Sequence, residues 1–214
     1  LFRSSDFIIL LARFIENDQD QGLGLIIVDR EDGYETTNLN KTALNSQSTA
    51  QVFFDNVKVP AGNVMVAAPK GMAYMMKLLT SSRPIVTLMA LGVAQAAFDE
   101  ALSFAQDRKQ FGGPIAGKQL IQAKIAEMAT KLEAGKLMAL KALNMIDQGE
   151  DPSLQAAMGK WFGTEMACEI VADAVSIHGG SGITTEYPVE YYNRVVRIFS
   201  FTEGTTEMQK LIIG

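Results

Sequence analysis

Two hydrophobic periods divide the chain. Over residues 1–68, short runs rich in Ile, Val, Phe and Leu (FIILLARF, LGLIIVD, AQVFFDNVKVP) are separated by polar or glycine-containing stretches such as ENDQDQG and DREDGYETTNLN. That spacing predicts β-strands joined by turns. Pro60-Ala61-Gly62-Asn63 is expected to end the last strand, leaving a small antiparallel sheet or a barrel-like domain lacking some strands. From residue 69 to 214 the period becomes helical. Ser82-Arg83-Pro84 reads as a helix start, with Ser82 as the cap and Pro84 in the first turn. The helix continues through IVTLMALGVAQAAFDEALSFAQDRKQF, and Gly112-Gly113-Pro114 stops it. A second long helix is predicted over roughly 117–148. A third follows Asp151-Pro152 and is broken by Gly179, Gly180 and Gly182; Pro188 opens a fourth, and Gly204 precedes the last. Broad apolar faces on three long helices, rich in Ala and Met, imply a close-packed bundle. The fold class is α+β, an antiparallel β segment followed by an up-down four-helix bundle.

Composition narrows the function. Of 214 residues, 48% are apolar and 20% charged, and 19 basic against 24 acidic side chains give a net charge of -5. That balance gives no support to a nucleic-acid or anionic-membrane surface. The single cysteine, Cys168, lies in an apolar helical pattern, which rules out a disulfide framework and fits a reducing compartment. No uninterrupted apolar run approaches 18 residues, so no membrane span is expected. One histidine, His178, excludes a multi-histidine metal site, and no metal is expected. LFRSSDFIILLARF opens directly in a strand-like run and KLIIG ends inside an apolar turn, the pattern expected of part of a longer protein.

Three small constellations carry candidate chemistry. Arg108-Lys109-Gln110-Phe111-Gly112-Gly113-Pro114 follows the first long helix. Basic groups there suit the helix dipole whatever the function, and a guanidinium beside an aromatic ring would equally suit a planar, phosphate-bearing cofactor. His178-Gly179-Gly180-Ser181-Gly182 follows a helix rather than a strand, so the dinucleotide fingerprint does not apply. A tight turn and close approach of a ligand are both open there, with His178 packed or capping. Glu203, between Thr202 and Gly204, follows the apolar IFSF and precedes a short amphipathic helix. A first-turn acid favoured by the dipole is one reading; a base at the mouth of an apolar wall is the other.

In this order, FFDNVKVPAGNV, SSRP, RKQFGGPI with KQLIQAKIAEMA, HGGSGITTEYPVEYYNRVVRI and TEGTTEMQKLII resemble segments of the acyl-CoA dehydrogenase family. The resemblance runs through about 210 residues and implies the later part of a middle β-domain (1–68) and a C-terminal helical domain (69–214). On it, Glu203 would remove the α-proton of an acyl-CoA thioester while the β-hydrogen leaves as hydride to FAD, giving a trans-2-enoyl-CoA. The Gly204 N–H would polarise the thioester carbonyl, and Arg83 would lie near the acyl-CoA. Arg108, Phe111 and Gln119 would contact the flavin of a neighbouring subunit, Ser176, Gly179 and Gly180 its adenosine end, and Thr205 and Glu207 the subunit's own FAD. The resemblance further implies a homo-oligomer (a dimer or a homotetramer built as a dimer of dimers), electron-transfer flavoprotein as acceptor, and a cytoplasmic location, or the mitochondrial matrix in a eukaryote. Members that carry the base on the first long helix hold it immediately before Arg83; here that position is Ser82.

Departures from the family pattern bear on substrate. Thr80 stands where straight-chain types often have Asp, Ser176 where Gln is common, Thr202 where Tyr or Phe precedes the base, and Glu207 where Gln is common. The Gly-x-Arg usual before the last β-domain strand is missing from NKTALNSQS. A shorter or branched chain, an aromatic acid and a steroid side-chain thioester are all open. Alternatives are an oxidase or monooxygenase of the same fold and a catalytically silent or interaction subunit.

Overall fold

The structure is a computed structural model that describes residues 5–214. Residues 1–4, the start of the expected apolar run, lie outside the described residues. Two compact units divide between Leu78 and Leu79. The chain is α+β: small antiparallel sheets, then a helical bundle.

In the first unit, β1 (Phe7–Glu16) and β2 (Gln19–Asp29) form a hairpin whose turn residues, Asn17 and Asp18, have φ of 49° and 61°. Both are left-handed, as the two-residue turn matching strand twist requires. The alternation buries Ile8 and Val28 with Tyr34, and Leu10, Ile26, Val52, Val57 and Val59 pack around them. β3 (Glu35–Asn38) pairs with β4 (Ala50–Phe53), and β5 (Val64–Val66) adds to β2. Two of these strands escape the sequence reading. β3 is ETTN inside the stretch read as a polar turn, and Pro60–Asn63 leads through a single 3-10 turn into β5 rather than ending the last strand. β3 is polar and defined by its pairing with β4, whereas the apolar β5 has only three residues, too few for a period to show.

Helix α1 (Gly71–Asp107) corrects the expected start at Ser82: it begins eleven residues earlier, and Ser82, Arg83 and Pro84 lie inside it. Met, Ala, Lys and Leu over 72–79 favour helix, so the proline is carried within a helix already formed. Its missing N–H leaves the Thr80 carbonyl without its helical donor. One turn on, the Thr87 hydroxyl donates to the Arg83 carbonyl at 2.9 Å. α1 ends at Asp107, before RKQF, which enters a small hairpin of β6 (Lys109–Gln110) and β7 (Gly113–Pro114). α1 also holds an 18-residue window of mean hydropathy 1.5, apolar and long enough by composition to cross a membrane. A bundle core helix has the same property.

α2 (Gln119–Asp147) and α3 (Ser153–His178) complete the long helices. The Asp151 carboxylate accepts from the Ser153 N–H at 2.9 Å at the start of α3. Residues at three- and four-residue spacing form the core: Ala90, Ala94, Ala97, Ala101 and Ala105 on α1, and Met128, Leu132, Gly135, Ala139 and Ala142 on α2, all buried. Ion pairs Lys124–Asp173 and Lys131–Glu169 tie α2 to α3. After α3, a 3-10 turn over Gly179–Ile183 needs glycine at Gly182, where a Cβ would sit 2.6 Å from the Val175 carbonyl. α4 (Val189–Val196), a 3-10 turn (Arg197–Ser200) and α5 (Thr206–Ile213) close the chain.

The tightest helix contact generates a test. A Cβ on Gly163 would lie 2.4 Å from Thr87 Cγ2. Gly163→Ala should therefore cost about 1–3 kcal/mol of stability, read as a lower urea midpoint. Adding Thr87→Ser, which removes that methyl and keeps the hydroxyl, should recover part of the loss.

Candidate active site

The segment between the last 3-10 turn and α5 is the most constrained in the helical unit. Glu203 has φ 57° and Gly204 φ 94°, two consecutive left-handed residues. For a glutamate that conformation costs on the order of 1–3 kcal/mol and persists only where surroundings enforce it. They do so through backbone carbonyls. Arg83 Nε donates to the Glu203 carbonyl at 3.4 Å, and Gln209 Nε2 donates to the Glu203 and Gly204 carbonyls at 3.3 and 3.1 Å. Lys160 Nζ donates to the Ser200 carbonyl at 2.9 Å. A Cβ on Gly204 would lie 2.8 Å from Gln209 Nε2, so the second position requires glycine. Thr205 caps α5, its hydroxyl accepting from the Met208 N–H at 3.4 Å. With the main chain held this way, the half-buried Glu203 carboxylate accepts a 2.5 Å hydrogen bond from Ser82 Oγ.

Two cations lie beneath this turn. Arg83 is 3% exposed; burial lowers its pKa and the Glu203 charge opposes that. Lys160 is 0% exposed, and burial pushes its pKa down to about 8, with Glu165 opposing and Arg83 adding to the fall. Burial also raises the Cys168 thiol, which lies 3.8 Å from Ser200 Oγ. Glu165, on α3, accepts from Thr206 Oγ1 at 2.6 Å. Glu207 is held below the usual carboxylate range by its own N–H at the start of α5 and then by the Thr205 hydroxyl. Its carboxylate thus serves the helix end.

The remaining candidates gather at the other end of α1. Arg108 follows its last turn, in a cleft of about 220 Å³ with Glu100, Ser103, Phe104, Asp107, Ser181 and Tyr187. His178 is buried, its Nδ1 donating at 2.8 Å to the Ala174 carbonyl. That partner is an acceptor, so Nδ1 carries the proton. Its ring stacks on Phe104 with centroids 4.3 Å apart, and Nε2 has no hydrogen-bond partner among the described residues. Ser176, Gly179 and Gly180 are exposed, and a Cβ on either glycine would meet nothing within 4 Å. Phe111, at the tip of the β6–β7 hairpin with φ 51°, is 91% exposed, and Gln119 opens α2. Ser82 and Asp107 are 25 residues apart on α1, about 37 Å at 1.5 Å per residue. The candidate residues therefore form two groups, not one.

Several residues of the turn are absent from the sequence reading. Lys160 sits in MGKWFG on the buried face, and Gln209, 0% exposed, lies in what reads as an amphipathic stretch. The one usable signal is register: Lys160 precedes Gly163 and Thr164, and Arg83 precedes Thr87, each by one turn of an otherwise apolar face. Ser82 is read as a helix cap and instead meets the carboxylate.

The Lys160 burial fixes a sign. Its proton is lost at about pH 8 in the folded chain and at roughly 10.4 when unfolded. Between these the unfolded chain binds more protons, so this group's contribution to stability rises with pH. Urea midpoints from pH 7.5 to 10 should climb more steeply in the wild type than in Lys160→Met.

The acyl-CoA dehydrogenase C-terminal domain family matches residues 69–214. A 3-(aryl)acrylate reductase from Clostridium sporogenes is 39% identical over 98% of this chain and 56% of its own length. The caffeyl-CoA reductase-Etf complex subunit CarC of Acetobacterium woodii is 38% identical, again over 98% and 56%. The butyryl-CoA dehydrogenase of Megasphaera elsdenii superposes with a TM-score of 0.93 at 30% identity, covering 99% of this chain and 56% of that one. The chain spans about half the length of the curated relatives it matches. On the family match, the similar relatives and the fold together, this chain belongs to the acyl-CoA dehydrogenase family.

Proposed function

We propose that this chain supplies the base and part of the flavin-binding surface of an FAD-dependent oxidoreductase acting on the Cα–Cβ bond of an acyl-CoA thioester. The observation that carries the reading is Glu203, an acid held in a left-handed turn by buried donors, with its carboxylate left to a single hydroxyl. Glu203 takes the α-proton: the Cα–H bond breaks, its electron pair moves toward the thioester, and an O–H forms on the carboxylate. The Gly204 N–H would donate to the thioester carbonyl, where charge develops. Arg83, buried under the turn, acts from beneath on the backbone.

FAD fits the residues at the far end of α1. Arg108 offers the forked donor for a pyrophosphate, exposed Phe111 a face for a ring, and Gly179 and Gly180 an open backbone. The partnerless His178 Nε2 adds a buried polar atom beside them. Ser176 and Gln119 would complete that surface, and Thr205 and Glu207 would border a second flavin at the base. Bound FAD supplies the hydride acceptor for dehydrogenation and the hydride donor for the reverse reaction. About 37 Å along α1 separates the two groups, farther than one flavin reaches. The far-end residues therefore serve the flavin of a second copy, consistent with a homodimer or dimer of dimers. Phe111, Leu120 and Ile183, 91%, 82% and 78% exposed, are suited to burial there.

A second reading concerns direction. The two curated relatives described above are named as reductases of arylacrylate or caffeyl-CoA substrates. In that direction Glu203, in its acid form, returns a proton to Cα of an aryl-substituted enoyl thioester. One relative is named as part of a reductase-Etf complex, which supports electron-transfer flavoprotein as the redox partner. Buried Cys168 accords with a reducing, cytoplasmic location.

Two measurements test this. Anaerobic mixing of the FAD-loaded protein with straight, branched and aryl-substituted acyl-CoAs should bleach the flavin. Glu203→Gln should keep FAD and lose bleaching by at least ~10³-fold, as expected for loss of a general base; a near wild-type rate would remove Glu203 from the chemistry. Arg108→Ala should lower the flavin-to-protein ratio after gel filtration without altering the fold.

A further inference from the structure

Ser82 occupies a position that no role above explains. It lies inside α1, so it caps nothing, and its hydroxyl faces two acceptors: Glu203 Oε2 at 2.5 Å and the Leu79 carbonyl at 3.1 Å. A serine has one hydroxyl proton, so it cannot serve both acceptors fully at once. We propose that Ser82 is a positioning residue for Glu203, a two-state hydroxyl that keeps the base hydrogen-bonded both before and after it takes a proton.

The argument is one of donors and acceptors. An ionised carboxylate only accepts, so the Ser82 O–H points at Glu203 Oε2. When the Cα–H bond of the substrate breaks and the proton settles on Oε2, that oxygen becomes a donor. The hydroxyl then turns its proton to the Leu79 carbonyl, and its oxygen accepts from the new Glu203 O–H. No proton leaves the pair, and neither state leaves the carboxyl without a partner. Ser82 needs only rotation about one bond, because both acceptors already lie within reach.

The charged neighbours do not supply this function. Arg83 on α1 donates to the Glu203 carbonyl, not its carboxylate, and Lys160 on α3 donates to the Ser200 carbonyl. Glu165 on α3 engages Thr206, and Glu207 on α5 engages Thr205 and its own backbone. Among these groups, Ser82 alone bonds the Glu203 carboxylate. A charge-assisted bond to the ionised form is stronger than the bond to the neutral acid. Loss of the Ser82 hydroxyl should therefore be felt more by the ionised base than by its acid form.

This rests on Glu203 being the base, so the experiment separates the two claims. Flavin bleaching by acyl-CoA is followed by stopped flow from pH 5.5 to 9 in the FAD-loaded wild type, Glu203→Gln, Ser82→Ala and Ser82→Thr. The expected result is a dead Glu203→Gln, and a Ser82→Ala profile whose acid limb moves up by about one pH unit, the direction that losing a donor to the charged form demands. Ser82→Thr, which keeps the hydroxyl, should return the limb to its wild-type position. Bleaching by Glu203→Gln would overturn the base reading itself. A dead Glu203→Gln with coincident Ser82→Ala and wild-type limbs would overturn the Ser82 role alone. Equal displacement in Ser82→Ala and Ser82→Thr would also overturn it, because packing rather than the hydroxyl would then be responsible. Should Ser82→Ala not fold, Ser82→Cys, a near-isostere with a weak donor, carries the same comparison.

Discussion

The close approach of α1 and α3 at Thr87 and Gly163 governs the helical unit. With no side chain on Gly163, the Thr87 methyl occupies the space a Cβ would need. Leu91, one turn further along α1, fills the equivalent space over Gly135 of α2. One turn in the opposite direction from this contact, the same register sets Arg83 of α1 near Lys160 of α3, close enough that the Arg83 charge adds to the fall of the Lys160 pKa. Two buried cations at one helix crossing would be costly without compensation. Their compensation is the backbone of residues 200–204, whose carbonyls they receive. Packing at a glycine thereby dictates where the final turn is tied down.

That arrangement divides labour between main chain and side chain. Arg83, Lys160 and Gln209 all bind carbonyl oxygens, which do not change charge in any reaction. Among the described residues the Glu203 carboxylate makes no direct ion pair, and it is bonded by a neutral hydroxyl. A carboxylate locked in a bidentate pair with Arg83 would resist protonation, since breaking a buried pair leaves an uncompensated charge. Held by its backbone instead, Glu203 keeps its position without such a pair. The left-handed φ at Glu203 is what the arrangement costs locally, and the three donors offset it.

The sequence discloses this unevenly. Period and glycine placement suffice for the three long helices, the break after His178 and the acid at 203, because each depends on local spacing. The start of α1 is misread, since a Ser-Arg-Pro triplet carries the local signs of a helix N-terminus and only tertiary packing shows a helix passing through it. β3 is polar and β5 is only three residues long, so neither gives a run long enough to read as a strand before its pairing is known. Lys160 and Gln209 escape for a different reason. A lone polar residue on an apolar face is indistinguishable from a solvated one until the partner carbonyl, 40 residues away for Lys160, is known. Ser82 combines both failures, a residue with a plausible local role whose partner lies 121 residues on.

The two groups of candidate residues at opposite ends of α1 follow from the same helix. α1 runs through the bundle as one element, so Ser82 and the last turn before Arg108 lie about 37 Å apart along it. At that spacing the two ends of α1 do not meet at one cofactor. On the flavin reading, each end must complete a site with another copy, and the exposed Phe111 and Leu120 lie at the end where that completion is needed. Oligomerisation would then be a condition of building the site rather than an addition to it.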